Sequence, residues 1–147
     1  MMTGSLPHAR HFRELAVYQK ASRVTQGIFE LSKSFPKEET YALTDQVRRA
    51  SRSIGGQIAE AWGKRRYERH FVTKLTDADS EQLETQHWIL VATACGYLDG
   101  EQESALLSEL EEIGRMLNSM MEKAHGFCGP STSIAREEQA SYFLTDD

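Results

Sequence analysis

The sequence is poor in the residues that break helices and in those that cross-link chains. Its 147 residues include 3 prolines and 2 cysteines. Cys95 and Cys128 match no metal-binding spacing, so we expect free thiols, which are typical of the cytoplasm. A chain of this length suits one domain that buries roughly 68–70% of its unfolded surface, so it needs no cross-link to fold.

Long hydrophobic runs are absent as well. No stretch reaches the roughly 18 apolar residues that cross a bilayer, and residues 1–10 lack the apolar core of a signal peptide. We therefore expect a cytoplasmic protein without a membrane partner. The alternation of apolar and polar residues that marks a half-buried strand is also missing, which argues against β-structure.

Apolar residues instead recur every three or four positions, the spacing of one buried face on a helix. The predicted helices span about residues 12–34, 41–63, 66–95 and 99–125. The clearest apolar stripes are Val17, Ala21, Val24, Ile28, Leu31 and Phe35; Leu43, Val47, Ala50, Ile54, Ile58 and Ala61; and Leu106, Leu110, Ile113, Leu117 and Met120. Because the connections are short, the sequence predicts an all-α, antiparallel up-down-up-down four-helix bundle.

The predicted domain limits follow from composition. The bundle covers residues 12–125. Residues 1–11 contain Gly4 and Pro7 without periodicity and are predicted to form a disordered lead. Residues 126–147 include a run of Gly, Pro, Ser and Thr and are predicted to form a flexible tail.

Several residues mark predicted helix ends. Thr40 is placed to cap the second helix, and Gly63 to end it as the residue after its last turn. Gly96 is predicted to end the third helix in the left-handed conformation. Asp99 and Gln102 have the spacing of a capping box at the start of the fourth.

Two helices depart from a simple amphipathic pattern. Gly55 and Gly56 interrupt the second, where each glycine disfavours the helix by roughly 1 kcal/mol relative to alanine. A bend or a close helix contact would explain them. In the third helix, Gln82 and Thr85 occupy positions of the apolar series counted from Phe71, which predicts either a buried hydrogen-bonded layer or a contact between subunits.

The net charge of −5 conceals an uneven distribution. Residues 1–75 carry 14 Lys and Arg against 7 Asp and Glu, whereas residues 76–147 carry 3 against 15. Such a split is compatible with a nucleic-acid-binding face. It is equally compatible with basic and acidic helices that pair, either within one subunit or between subunits.

The candidate nucleic-acid-binding residues flank the second helix, with Trp62 and Tyr67 among them. Arginines beside aromatic rings can hold phosphates and stack on bases. The set is Arg48, Arg49, Arg52, Lys64, Arg65, Arg66 and Arg69. Asp45, Glu60 and Glu68 lie near enough in the chain to neutralise part of it.

A metal-binding or enzymatic helical bundle is the alternative. Glu84-x-x-His87 and Glu122-x-x-His125 resemble the ligand motifs of di-iron bundles. In an antiparallel pair that turns near residues 96–99, the two motifs are offset by roughly 11 residues, or about 16 Å. They cannot share one dinuclear site within a subunit, so the sequence predicts no metal site, no cofactor and no catalytic residues.

Several segments, in order along residues 12–124, resemble the four-helix-bundle family of 23S ribosomal RNA intervening-sequence proteins. They read FREL (12–15), FPKEE (35–39), LTDQVRRA (43–50), IAEAWG (58–63), EQLETQ (81–86), GYL (96–98) and ELEEIGRMLN (109–118). The chain departs from the family pattern at Gly55, where proline is usual, and glycine at this position also allows a bend.

The resemblance implies a left-turning antiparallel bundle that assembles into a ring, typically of five subunits. A related branch serves as the accessory protein of diversity-generating retroelements and binds a reverse transcriptase and nucleic acid. The family supplies no catalytic residues to transfer. We therefore expect a non-enzymatic, oligomeric scaffold whose partner is nucleic acid or another protein.

Overall fold

Four long helices make up most of residues 9–129, the part of the chain that the computed structural model describes. They are α1 (Ala16–Ser32), α2 (Asp45–Gly63), α3 (Glu68–Ala94) and α4 (Gly100–Glu122), and the single turn α5 (Ala124–Phe127) follows. No strand occurs in this range, so the all-α prediction is confirmed. Within it, no helix is both long and apolar enough to cross a lipid bilayer.

The helices are arranged around the core in chain order. α2 packs on α1 and α3, and α4 packs on α3 and α1. α2 and α4 therefore lie at opposite corners of the bundle. α2 carries three of the seven candidate basic residues, the other four follow its C-terminal end, and α4 carries a glutamate-rich surface.

The core consists of the stripes that the spacing predicted. The α2 and α4 stripes are buried throughout, as are the first four residues of the α1 stripe, whereas Leu31 and Phe35 are partly buried. Full burial of a side chain such as Ile58 or Leu110 stabilises the fold by roughly 1.5–3 kcal/mol. Hydrophobic periodicity thus accounts for the inner faces of three helices.

The turn between α3 and α4 matches both predicted signals. Gly96 has a φ of 83°, the left-handed conformation, and its N–H donates to the carbonyl of Thr93 over 2.9 Å. Asp99 Oδ1 accepts from the Gln102 N–H at 2.7 Å, and Gln102 Oε1 accepts from the Asp99 N–H at 2.9 Å. The capping box is therefore complete.

The start of α2 differs from the prediction. A 3-10 turn (Lys37–Glu39) and a π-helical turn (Thr40–Thr44) lead directly into α2. Thr40 lies inside this continuous helical path and does not cap it, because its hydroxyl donates to the Lys37 carbonyl at 2.7 Å. The π turn buries Leu43 and Thr44 against the core.

The end of α2 also differs. Gly63 is the last residue of the helix rather than the residue after it, and its φ is not positive. Arg65 Nε donates to the carbonyl of Trp62 at 2.9 Å. A basic side chain therefore satisfies a terminal carbonyl, so the helix does not need a left-handed glycine at this end.

The limits of the outer helices are shifted as well. α1 begins at Ala16, after a 3-10 turn (Phe12–Glu14) and the extended Leu15. At the other end, Phe127 stacks on Phe71 with ring centroids 5.7 Å apart, and Cys128 is a buried free thiol. The start of the predicted tail thus packs on the bundle. Residues 1–8 and 130–147 lie outside the described residues, and the domain limits stay a prediction.

Two unusual sequence features acquire packing explanations. A Cβ built on Gly55 would lie 3.3 Å from Tyr18 Cε1, so α1 and α2 make a close contact there, whereas a Cβ on Gly56 would meet no atom within 4 Å. Thr85 is fully buried and Gln82 is 4% exposed. The predicted buried polar layer is therefore present within a single subunit.

Candidate nucleic-acid interface

Phe29 of α1 gathers three cations at the junction with α2. The Arg48 and Arg52 guanidinium carbons lie 4.7 and 5.6 Å from its ring centroid, and Lys33 Nζ lies 5.0 Å from it. Arg48 Nε also donates to Ser32 Oγ at 2.8 Å. Cation–π contacts and this hydrogen bond hold Arg48 in place before any ligand arrives.

An open groove on α2 brings three of the predicted arginines together. This α2 groove has a volume of about 550 Å³ and is lined by Asp45, Arg48, Arg49, Arg52, Ser53 and Gly56. Asp45 shares the groove, but among the described residues no ion pair joins a carboxylate to any of these arginines. The expected neutralisation by Asp45 therefore does not take the form of an ion pair.

The other four predicted residues form a second group at the far end of α2. We call Lys64, Arg65, Arg66 and Arg69 the Lys64–Arg69 cluster. Lys64 lies twelve residues beyond Arg52, or about 18 Å along the helix axis. The structure thus separates the seven basic residues into two surfaces.

Within the Lys64–Arg69 cluster the residues differ in role. The Arg65 guanidinium stacks 3.5 Å from the centroid of the Trp62 ring and also caps α2, so Arg65 has a structural function. Arg66 and Arg69 line a shallow cleft of about 430 Å³ together with Tyr67, Glu68 and His70. Tyr67 is 58% exposed, which leaves its ring available at this surface.

Basic and acidic helices also pair within the subunit, but through other residues. Lys20 of α1 contacts Glu109 and Glu112 of α4 at 2.6 and 3.1 Å. Lys74 of α3 contacts Glu60 of α2 at 2.8 Å, and its hydrogen bond lowers the pKa of Glu60. Lysines outside the candidate set therefore take up part of the acidic charge.

The di-iron motifs do not converge. Glu84, His87, Glu122 and His125 are all exposed. Across residues 9–129, no three His, Cys, Asp or Glu side chains are grouped closely enough to hold a metal ion. The described surface therefore offers no geometry on which to build the metal-binding alternative.

Sequence reasoning missed a second cleft, which lies between α1 and α2. This α1–α2 cleft has a volume of about 330 Å³ and is lined by Phe12, Tyr18, Ala21, Ser22, Thr25, Gln26, Arg52, Gly55, Gly56 and Ala59. Its residues come from two helices, so no single motif reveals it. The signal that the sequence offered was the glycine pair, since Gly55 and Gly56 both line the cleft.

The fold and the two basic surfaces place the protein in the class of small four-helix bundles. The model of the family described as 23S rRNA-intervening sequence protein matches residues 13–119. The chain therefore belongs to this family, as the motifs predicted.

The fold is similar to that of a solved structure from Bacteroides thetaiotaomicron, a protein of unknown function from the S23 ribosomal protein family. The two share 27% identity with a TM-score of 0.65, and the match covers 72% of this chain and 95% of that one. No curated protein matches this sequence.

Proposed function

We propose that the protein is a non-enzymatic scaffold that binds the phosphate backbone of nucleic acid along α2. The α2 groove carries this proposal, because Arg48, Arg49 and Arg52 line it and form no ion pair with any carboxylate of residues 9–129. Arginine is well suited to phosphate because its planar guanidinium presents two parallel donors. Ser32 and Phe29 already hold the Arg48 side chain, so Arg48 loses less conformational entropy when it binds a phosphate.

The Lys64–Arg69 cluster, in the turn after α2 and at the start of α3, supplies a second contact. A separation of about 18 Å corresponds to roughly five stacked nucleotides at 3.4 Å each, so one strand could reach both surfaces. The glutamates of α4 lie at the opposite corner of the bundle, where they repel a polyanion least. Backbone contacts carry little sequence information, so we expect weak sequence preference and a steep dependence on salt.

The test is a binding titration with single-stranded and duplex RNA and DNA at low and physiological salt. It compares the wild type with Arg49→Ala/Arg52→Ala and with Arg65→Ala/Arg66→Ala. Loss of two phosphate contacts in Arg49→Ala/Arg52→Ala should lower the slope of log K against log salt by about 1.4 for a single strand. We expect the larger loss of affinity in Arg49→Ala/Arg52→Ala. Arg65 already contacts Trp62 at the end of α2, so it contributes less to phosphate binding.

A matched control is Arg23→Ala/Arg115→Ala, which removes two exposed arginines from α1 and α4 outside both surfaces. It should leave affinity nearly unchanged. Equal losses in all three variants would show only a nonspecific charge effect, and no binding at low salt would reject the proposal. A protein partner would then be the remaining occupant of the basic surfaces.

We further propose that the scaffold is a homo-oligomer, with five copies favoured by the family resemblance. Leu83 and Leu90 are 54% and 47% exposed and lie seven residues apart, on one face of α3. The core-facing positions of α3 include Gln82 and Thr85, whereas these two leucines face solvent. The large aromatic residues Trp88 and Tyr97 hydrogen bond within the chain to Glu84 and Glu39.

Light scattering coupled to size exclusion should report a several-fold multiple of 16.7 kDa. Leu83→Glu/Leu90→Glu should shift the protein toward the monomer, since charge on an apolar contact face opposes association. Ala105→Glu/Ser108→Glu places the same charges at exposed positions of α4 and should not. A wild-type monomer at micromolar concentration would reject the oligomer.

The cytoplasmic location stays a prediction.

A further inference from the structure

The α2 groove and the α1–α2 cleft adjoin each other. Arg52 and Gly56 line both of them, so a ligand held by the arginines lies next to the cleft. The groove end is basic, whereas the far end of the cleft is formed by Phe12, Tyr18 and Ala59. Charge and aromatic surface thus follow one another along the seam between α1 and α2.

The walls of the cleft have the composition that suits a planar heterocycle. The rings of Phe12 and Tyr18 meet edge to face with centroids 4.9 Å apart, and both side chains pack only partly into the core. Ser22 and Gln26 add a hydroxyl and an amide, which can hydrogen bond to the edges of a base. The volume of about 330 Å³ falls within the roughly 300–1,000 Å³ of small-molecule sites.

We propose that the α1–α2 cleft takes an unpaired nucleobase from a strand whose phosphates lie on Arg49 and Arg52. The inference rests on the proposed function and adds the substrate class, which is single-stranded nucleic acid. A base inside a duplex is stacked and paired, so it cannot enter a cleft without being extruded at an energetic cost. Stacking on an aromatic wall tolerates any base, so the preference is for strandedness rather than sequence.

Gly56 allows a sharp test because stability and binding should respond in opposite directions. Gly56 is exposed, and among the described residues a Cβ there would meet nothing within 4 Å beyond its chain neighbours and its own helix backbone. Leucine favours a helix more than glycine does, so Gly56→Leu should raise or preserve the melting temperature. The same side chain would occupy the mouth of the cleft and exclude a base.

The experiment measures affinity by fluorescence anisotropy for three probes. They are an oligothymidylate of about 12 nucleotides, an abasic strand with the same number of phosphates, and a duplex of the same length. The wild type should bind the oligothymidylate about ten-fold more tightly than the abasic strand, the gain expected from stacking one base. Gly56→Leu should abolish this difference, and the readout is the ratio of the two affinities because Gly56 also lines the α2 groove.

Two variants serve as controls. Gly27→Leu introduces the same side chain into α1, where a Cβ would meet nothing within 4 Å among the described residues beyond its chain neighbours and its own helix backbone. Gly27 lines neither the α2 groove nor the α1–α2 cleft. This variant should therefore preserve the ten-fold difference. Tyr18→Leu removes the aromatic wall and should reduce the difference.

The outcomes separate the two proposals. Equal affinity of the wild type for the oligothymidylate and the abasic strand would overturn the base site but leave phosphate binding intact. A difference that survives in Gly56→Leu would also overturn it, because the base must then bind elsewhere. Failure of all three probes to bind at low salt would overturn the proposed function and the base site together.

Discussion

Gly114 of α4 lies directly against Gln82 of α3. A Cβ built on Gly114 would lie 2.9 Å from Nε2 of Gln82, closer than packed atoms can approach. Gln82 cannot easily move, because its amide donates to Asp79 at 3.0 Å and its carbonyl accepts from Gln86 at 2.7 Å. The absence of a side chain on α4 therefore makes room for a buried amide on α3.

Gly114→Ala should accordingly destabilise the protein. The clash with Gln82 should lower the free energy of unfolding by about 1–3 kcal/mol, which outweighs the gain of about 1 kcal/mol in helix propensity. Gly27→Ala is the matched control and should stabilise, since within residues 9–129 a Cβ built there would meet nothing within 4 Å beyond its chain neighbours and its own helix backbone. Urea denaturation of both variants measures the difference, and equal stabilisation by both would contradict the packing argument.

Glu81 should make stability depend on pH in the acidic range. Burial raises its pKa, and the charges of Glu84 and Asp77 add to the effect. A raised carboxyl pKa means that folding favours the protonated form, so the contribution is complete below the unfolded pKa and is lost as pH rises through the folded value. Glu81→Gln should therefore stabilise at pH 7, with the gain shrinking as pH falls toward about 4.5.

Denaturation of Glu81→Gln and wild type across this range checks the expectation. Glu111→Gln, at an exposed position of α4, removes the same charge without the burial. A stabilisation of equal size in Glu111→Gln would assign the effect to net charge rather than to the environment of Glu81.

Tyr97 should be the phenol that ionises late. Its hydroxyl donates to Glu39 Oε2 at 2.7 Å, which raises the pKa of Tyr97 to about 12 from its ordinary 10.0. Because the pKa is raised, the hydrogen bond between Tyr97 and Glu39 stabilises the fold fully below pH 10, and this contribution is lost between pH 10 and about 12. Tyr97→Phe should remove the late phase from an ultraviolet titration of phenolate and lower the melting temperature, whereas Tyr41→Phe should preserve both.

The Lys20 ion pairs should contribute measurably to the free energy of unfolding, because the Lys20 side chain is mostly buried. Its side chain is 13% exposed where it bridges Glu109 and Glu112. Lys20→Met keeps the aliphatic stem, and it should lower the free energy of unfolding by about 1 kcal/mol at low salt. This drop in the free energy of unfolding should be smaller in about 1 M salt, where the charges are strongly screened. Lys33→Met breaks an exposed pair with Glu30 and should change little; equal losses would contradict this account.

The sequence predicted the inner faces of the bundle well, because burial leaves a periodic signal in a single helix. Ile54 and Ile58 are identified by spacing alone. Leu83 and Leu90 were not, since α3 carries apolar residues on two faces and periodicity cannot say which one faces solvent. Gly63 was misread because the last carbonyls of α2 accept from the Lys64 N–H and from the side chain of Arg65, without a left-handed glycine.

The candidate site was predicted less completely, for a related reason. The seven basic residues could be listed from the sequence, but their division into two surfaces depends on the length and direction of α2. The anchoring of Arg48 depends on Ser32 and Phe29, which lie on another helix. The α1–α2 cleft depends on how two helices are aligned, and no spacing within either helix encodes that alignment.

The opposite placement of α2 and α4 gives each subunit an electric dipole across the bundle. In an assembly with rotational symmetry, every copy points this dipole in an equivalent direction. A radial orientation produces an inner and an outer wall of opposite sign, so a polyanion is drawn to one wall only. A tangential orientation places the basic edge of each copy against the acidic edge of the next. Because the charges are fixed within one chain, its orientation in an assembly determines whether the arginines are displayed or buried between copies.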